Sequence, residues 1–379
     1  MSLSDWRASG NPTDSTRRKV EMDQERSRKP AKPGATVLVT GATGFLGRNL
    51  VPVLAESGWA VRGLCRRAAA ARELAGLGAL PVSGDLFDVH ALRAAMSGVQ
   101  AVVHAAADTA VWPAHSPSGF RVNVDGTRSV LEAARAERVD RIVHVGSANS
   151  FGPAPHGGQT DERTPFRGRR YGLDYIVSKQ QAQQVALRAD PPAIVVNPTF
   201  LFGAHDRVPG PGRLIQQLAR SPAIYPYPAG RGRNVAGIGT VCRGVERALR
   251  HGVPGQCYVL GGSNLGYRTL FELICGVTAS RTRPVPLPAW LICSAGAAGS
   301  AAGRLTGRDP GLSLPLARAA RESFHYSSAK AARELGYVPD DVAGIERAIR
   351  ASFEWFRRTG RIAPRARGRR PSDAARAVS

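Results

Sequence analysis

Over its first half the chain alternates short apolar blocks with amphipathic stretches. Residues 35–40, 60–64, 80–82, 100–105, 141–145 and 193–196 are runs rich in Val, Leu, Ile and Ala. Runs of this length read as strands buried on both faces of a sheet. Between them, residues 45–57, 89–97 and 120–137 place apolar side chains at helical spacing, and a further helix precedes the sixth run. Strand and helix alternating this regularly predict an α/β fold, a doubly wound parallel sheet with helices on both faces. Beyond Pro198 the rhythm breaks: prolines and glycines crowd residues 203–212 and 222–232, and helical spacing returns at 241–250, 269–278 and 316–322. A smaller, mainly helical C-terminal cap over the C-terminal edge of the sheet is expected there. The expected divisions are a disordered basic tail at 1–33, the sheet domain at 34–198, the cap at 199–360 with its last segments returning to the core, and a second basic tail at 361–379.

The first strand runs into Thr40-Gly41-Ala42-Thr43-Gly44-Phe45-Leu46-Gly47. Glycine every third residue between a strand and a helix lets the backbone turn tightly and approach a pyrophosphate, and the helix start offers free N–H groups. Gly41, Thr43, Gly44, Phe45, Leu46 and Gly47 are therefore candidates to hold a dinucleotide. A site for NAD would place an acid after the second strand to bind the ribose hydroxyls. This chain reads Leu64-Cys65-Arg66-Arg67 there, and arginine suits the 2′-phosphate of NADP. NADP is thus expected, with NAD as the alternative. Asp85 and Leu86 follow the third strand, where a carboxylate can accept from an adenine amino group. Ala105, Ala106 and Ala107 follow the fourth, leaving room for the cofactor.

Tyr175 and Lys179 stand four residues apart, on one face of a helix. A cation near a phenol favours the phenolate and lowers a tyrosine pKa from about 10. Only five of the 52 Lys and Arg residues are lysines, so an ammonium here is less accidental than a guanidinium would be. Ser147 follows the fifth strand in Val145-Gly146-Ser147-Ala148-Asn149, where its hydroxyl can hold a substrate oxygen. Tyr-x-x-x-Lys alone carries little information. Joined to Ser147 and the glycine turn, it predicts a hydride-transfer enzyme with Ser147, Tyr175 and Lys179 as its catalytic set.

Taken together, these motifs resemble the extended short-chain dehydrogenase/reductases, the group that holds UDP-sugar 4-epimerases, dihydroflavonol 4-reductases and 3β-hydroxysteroid dehydrogenases. The texture is nearest to bacterial dihydroflavonol-reductase-like proteins, including those called hopanoid-associated sugar epimerases. Asn123-Val124-Asp125-Gly126-Thr127, Asn197-Pro198 and Ser327-Ser328-Ala329-Lys330 fall in family order. The resemblance implies a Rossmann-type fold, the roles given above for Ser147, Tyr175 and Lys179, and Asn123 and Pro198 lining the cofactor pocket. Family members are often dimers, so a homodimer is an expectation of the same kind. The chain departs from the family at Gly237-Ile238-Gly239-Thr240-Val241, where a His-Val-Asp-Asp-Val-like run is usual, and that leaves substrate identity less legible than the cofactor.

Composition then narrows the picture. Hydrophobic residues at 43% and charged residues at 21% are ordinary for a globular protein, whereas a net charge of +23 is not. Part of that charge lies in the two tails, which lack the interleaved aromatics of a nucleic-acid reader, so nucleic acid is not the expected partner. Five scattered cysteines without a C-x-x-C pair point to reduced thiols in a cytoplasm and to no metal site. Residues 289–302 form the least polar stretch, too weakly apolar for a membrane span. A buried or lid helix is expected there, with peripheral membrane contact open if the substrate is a lipid. The expected activity is NADP-dependent reduction of a carbonyl, or oxidation of a secondary alcohol. The alternatives are an NAD-dependent sugar-nucleotide epimerase or dehydratase and a non-catalytic dinucleotide sensor.

Overall fold

The computed structural model describes residues 34–153, 158–207, 210–220 and 222–362. Both basic tails, apart from Arg361 and Ile362, lie outside the described residues. Seven parallel strands make the main sheet, in the order β3-β2-β1-β4-β5-β6-β10. The first half alternates as its sequence pattern predicts. It runs β1 (Thr36–Thr40), α1 (Phe45–Glu56), β2 (Ala60–Cys65), α2 (Ala68–Gly76), β3 (Ala79–Ser83), α3 (Val89–Met96), β4 (Ala101–His104), α4 (Gly126–Ala136), β5 (Arg141–Val145), α5 (Asp174–Arg188) and β6 (Ile194–Pro198). Side chains of β1, β4, β5 and β6 divide between two apolar cores, one on each sheet face. Val39, Val103, Val143 and Val196 face one core, and Leu38, Val102, Ile142 and Val195 the other. That two-sided burial is why the strands read as continuous apolar runs.

Two local departures occur in this half. Helix α2 was not anticipated, because it is alanine-rich and buries only Leu74. The helix expected over 120–137 is interrupted: a turn at Pro117–Phe120 and a π-helical turn at Arg121–Asp125 precede α4. Such a widened turn re-aims the side chains it carries, and here it carries Asn123.

The second half contains β7 (Phe200–Phe202), α6 (Gly212–Ala219), β8 (Ile224–Pro228), β9 (Gly232–Gly237), α7 (Ile238–His251), β10 (Cys257–Leu260), β11 (Ser263–Gly266), α8 (Tyr267–Thr278), β12 (Arg283–Leu287), α9 (Ala289–Thr306), α10 (Leu314–Ala320), α11 (Ala329–Leu335) and α12 (Val342–Arg358). The C-terminal region is helical but also holds two small sheets, β11-β9-β7 and β12-β8. Strand β10 leaves it to complete the main sheet beside β6. Ala331, Leu335 and Tyr337 pack into the core of the main sheet. At the departure from the family run, Asp340 takes up the start of α7: its Oδ2 accepts from Gly237 N at 2.7 Å and its Oδ1 from Thr240 Oγ1 at 2.7 Å.

Candidate active site

The glycine turn is set by backbone crowding. Gly41 has φ +68°, and a Cβ there would stand 2.5 Å from the Ala106 nitrogen. One at Gly47 would stand 2.3 Å from the Gly41 carbonyl oxygen. Neither contact can yield, so the turn and the 105–106 segment sit as close as backbones allow. Gly44 differs: it is exposed, and an added Cβ would meet only the Gly41 oxygen at 3.2 Å. It is also the N-cap of α1, with no side chain capping the helix. The turn therefore presents an open backbone cradle at a free helix start, which fits the pyrophosphate of a dinucleotide. Thr43, Phe45 and Leu46 are partly buried around it, the last two packed on the core. Behind the turn, Arg48 is buried, donates from Nε to the Thr43 carbonyl oxygen at 2.7 Å and pairs with Glu73 of α2.

At the end of β2, Arg66 and Arg67 are both exposed, and Arg67 is the N-cap of α2. Arg66 reaches Asp85 at 3.4 Å, so two predicted cofactor residues from neighbouring strand ends meet at one rim of the site. Asp85 Oδ1 accepts from Phe87 N, and Leu86 packs toward Gly126 at the start of α4. Ala105 continues the register of β4 by donating to the Thr40 oxygen, and Ala106 lies over Gly41.

Asn123 is buried with its amide fully used. Its Oδ1 accepts from Asp108 N at 2.8 Å, and its Nδ2 donates to the Asp108 oxygen and to Ser178 Oγ, both at 2.9 Å. It braces the segment after β4 against α5, beside the predicted cofactor residues.

Ser147, Tyr175 and Lys179 come together at the C-terminal end of β5. The Ser147 hydroxyl lies near enough to the Tyr175 phenol to favour its ionised form, against the rise that burial imposes. Ser147 N donates to Asn197 Oδ1 at 3.1 Å, and its Oγ accepts from Asn149 N. Asn197 is fully buried at the end of β6 and fixes the serine from behind. The sequence offered it only as part of a motif, and its cross-strand pairing with Ser147 is not visible in spacing.

Lys179 is buried, donates from Nζ to the Val145 oxygen at 2.8 Å, and is lowered by burial to about 8. Burial likewise raises the Tyr175 pKa, opposed by the nearby Ser147 hydroxyl. The expected lowering of that pKa by Lys179 is not what dominates here, because the ammonium is turned to a strand carbonyl.

Below this set His104 is held between Thr40 Oγ1 at 2.7 Å and Thr127 Oγ1 at 3.1 Å, and burial drops it to about 3. It stays neutral and acts as a brace.

A cavity of about 40 Å³ opens beside Ser147 and Pro198. Its far wall comes from residues that no motif announced: Phe200, Arg233, Phe324 and Tyr326. The Arg233 guanidinium lies over the rings of Phe200 and Phe324 and donates to the Tyr267 hydroxyl at 2.8 Å. The Tyr326 hydroxyl is buried without a hydrogen-bond partner among the described residues. These four come from β7, β9 and the stretch before α11, which only the fold brings together. No group of metal-ligating side chains occurs among the described residues.

The comparisons with known proteins agree with this geometry. The profile of the NAD dependent epimerase/dehydratase family matches residues 37–261. The 4-hydroxy-2-methyl-3-oxo-4-farnesyl-3,4-dihydroquinoline-1-oxide ketoreductase of Stigmatella aurantiaca is 33% identical over 308 residues, 79% of this chain and 91% of that protein. Sterol demethylase protein B of Methylococcus capsulatus is 29% identical over 337 residues, 86% of this chain and all of that one (100%). The crystal structure of gox2253 superimposes with a TM-score of 0.75 at 31% identity, over 87% of this chain and 100% of that one. With the glycine cradle, the sheet order and the family match in agreement, the chain belongs to the NAD dependent epimerase/dehydratase family, the extended short-chain dehydrogenase/reductases, and is an NAD(P)-dependent oxidoreductase of that type.

Proposed function

We propose that the protein is an NADP-dependent reductase of a carbonyl compound, able to run in reverse on the secondary alcohol. The observation that carries this reading is Ser147, which lines a cavity and whose hydroxyl acts on the neighbouring Tyr175 phenol, with Lys179 one helical turn further along α5. The cradle of Gly41, Thr43, Gly44, Phe45, Leu46 and Gly47 would hold the pyrophosphate. Arg66 and Arg67 would hold the 2′-phosphate, and Asp85 and Leu86 the adenine end. Ala105, Ala106, Ala107, Asn123 and Pro198 would border the remainder. When bound, the nicotinamide supplies the hydride.

Tyr175 donates its proton to the carbonyl oxygen, and Ser147 steadies that oxygen as charge builds on it. The raised pKa of Tyr175 suits the reductive direction, because burial keeps the phenol protonated. Lys179 binds the ribose and holds the helix turn against β5. The cavity has room for little more than the reacting group, and its walls of Phe200, Phe324 and Tyr326 suit a partly apolar substrate. Relatives named for a farnesylated quinoline oxide and a sterol point the same way.

The test is to screen carbonyl compounds and sugar nucleotides with NADPH and with NADH, following nicotinamide absorbance. Carbonyl-dependent consumption of NADPH that disappears in Tyr175→Phe is the expected result. A cofactor that stays with the protein, unconsumed, while a sugar nucleotide is interconverted would replace this reading with epimerisation. Dinucleotide binding without turnover of any compound would favour a sensor.

A further inference from the structure

We propose that the outer face of α9 rests on an anionic lipid surface. This 18-residue helix carries a single charged side chain, Arg304. Trp290, Ser294, Ala297, Ala301 and Leu305 recur at steps of three or four, so they share one face, and all are exposed. Trp290 is 66% exposed and Leu305 89%. The opposite face is docked. Ile292, Gly296, Ser300 and Gly303 are buried, Gly296 lies against Ala317 of α10, and Gly303 lies against the ring of Trp112.

A surface helix normally turns charge outward, as α12 does with Glu346, Arg350, Glu354, Arg357 and Arg358. The outward face of α9 is tryptophan, leucine and alanine with one serine, Ser294, whose hydroxyl is turned to the Trp290 carbonyl, and no described residue covers it.

The surrounding charge identifies the occupant. Arg304, Arg308, Arg318 and Arg321 lie on α9, on α10 or just beyond them, all exposed, with no carboxylate partner among the described residues. The acids of the same stretch, Asp309 and Glu322, are already paired with Arg213 and Arg170. An apolar face with the unpaired guanidinium groups of Arg304 and Arg308 at its Leu305 end, and Arg318 and Arg321 on the neighbouring α10 segment, repels a second copy of itself, in a chain whose net charge is already +23. An anionic bilayer offers the opposite charge and an apolar layer beneath it. Tryptophan at the edge of such a face sits at the headgroup level. No helix of the described residues is long and apolar enough to cross a membrane, so the contact lies in the plane of the surface.

The face is also tied to the site. Trp112, packed on Gly303, belongs to the segment after β4. Two residues on, the Ala114 oxygen accepts from Asp174 N at the start of α5, next to Tyr175. The surface contact itself does not depend on the reductase reading.

The test uses the full chain with vesicles of phosphatidylcholine alone or mixed with phosphatidylglycerol, made with acyl-chain-brominated lipid that quenches nearby tryptophan. Binding to the anionic vesicles with quenching that Trp290→Phe removes is expected. Leu305→Glu should weaken that binding about fivefold or more while dinucleotide binding, the control for folding, stays unchanged. Vesicle binding with identical quenching in wild type and Trp290→Phe would assign adhesion to the basic tails and overturn the proposal. So would a dimer in solution that Leu305→Glu dissociates, or the absence of any vesicle binding.

Discussion

At Gly47 an added methyl would overlap a backbone oxygen at 2.3 Å, whereas the cavity beyond Ser147 is walled by the ends of side chains from three separate segments. In the proposed assignment the cofactor end of the site is shaped by main chain, and the substrate end by side chains. Main-chain shape admits almost no substitution, so it leaves a fixed spacing in the sequence. A side-chain wall can be rebuilt residue by residue, and it leaves no spacing at all. One half of the site is thereby fixed by its backbone, while the other half can be changed without disturbing it.

The sharpest way to break that contrast is Tyr175→Phe, which removes one hydroxyl from the substrate end and no backbone contact. Turnover should fall by about 10²–10⁴-fold, the usual worth of a positioned proton donor. Dinucleotide affinity, measured by fluorescence titration, should stay within about twofold. A loss of affinity as large as the loss of turnover would show that the two ends are not independent. Gly47→Ala is the mirror experiment and ranks second. The Gly41 carbonyl cannot retreat, so overpacking should cost about 1–3 kcal/mol of stability in urea unfolding, and dinucleotide affinity should drop by about tenfold or more. An alanine variant with native affinity would mean that the turn has slack that its geometry denies.

The same division explains what could be read from the sequence. Gly41, Gly44, Gly47, Ser147 and Tyr175 sit near strand and helix ends of the regular half, and Lys179 one turn beyond Tyr175, so local spacing brought them forward as candidates. Strand β10 was missed because its four residues pair with β6 some sixty positions earlier, and nothing local announces a long-range parallel partner. Strands β8 and β12 were hidden by Pro226, Pro228, Pro284 and Pro286, which speak against a strand interior. They survive as a two-stranded pair in which each has a free edge for the missing N–H groups. Arg233, Phe324 and Tyr326 meet only once that half is folded. The expectation that Lys179 lowers the Tyr175 pKa followed from their shared helix face. It ignored the Val145 carbonyl, which captures the ammonium, and the burial that raises both costs.

A third, smaller effect tests the rim of the cofactor end, where side chains take over from backbone. Arg66 is exposed and, among the described residues, held only by Asp85 at 3.4 Å, so the pair contributes little to stability. Replacing Arg66 and Arg67 together with alanine should leave the thermal midpoint unchanged and lower the NADPH-over-NADH preference by about tenfold. An unchanged ratio of kcat/KM values for the two cofactors would remove both arginines from the cofactor assignment.

The smallest effect is a pH dependence that isolates Lys179. Burial lowers its pKa from 10.5 to about 8, so between those values the unfolded chain binds more protons than the folded one. Stability therefore rises with pH across that window, and a shift of this size is worth about 1 kcal/mol between pH 8 and pH 9. The thiols of buried Cys242 and half-buried Cys257 are shifted upward, chiefly by loss of solvent, and act in the opposite direction at similar pH. The quantity to measure is thus the difference between wild type and Lys179→Met in chemical unfolding at each pH. Loss of the bond to the Val145 oxygen lowers the variant by a constant amount, whereas loss of the titration removes a slope. A difference that grows by about 1 kcal/mol in favour of the wild type from pH 8 to pH 9 is expected. A flat difference would mean that Lys179 is solvated in the folded protein and titrates like a free lysine, and the ammonium could not then be the fixed group that ties α5 to the Val145 carbonyl.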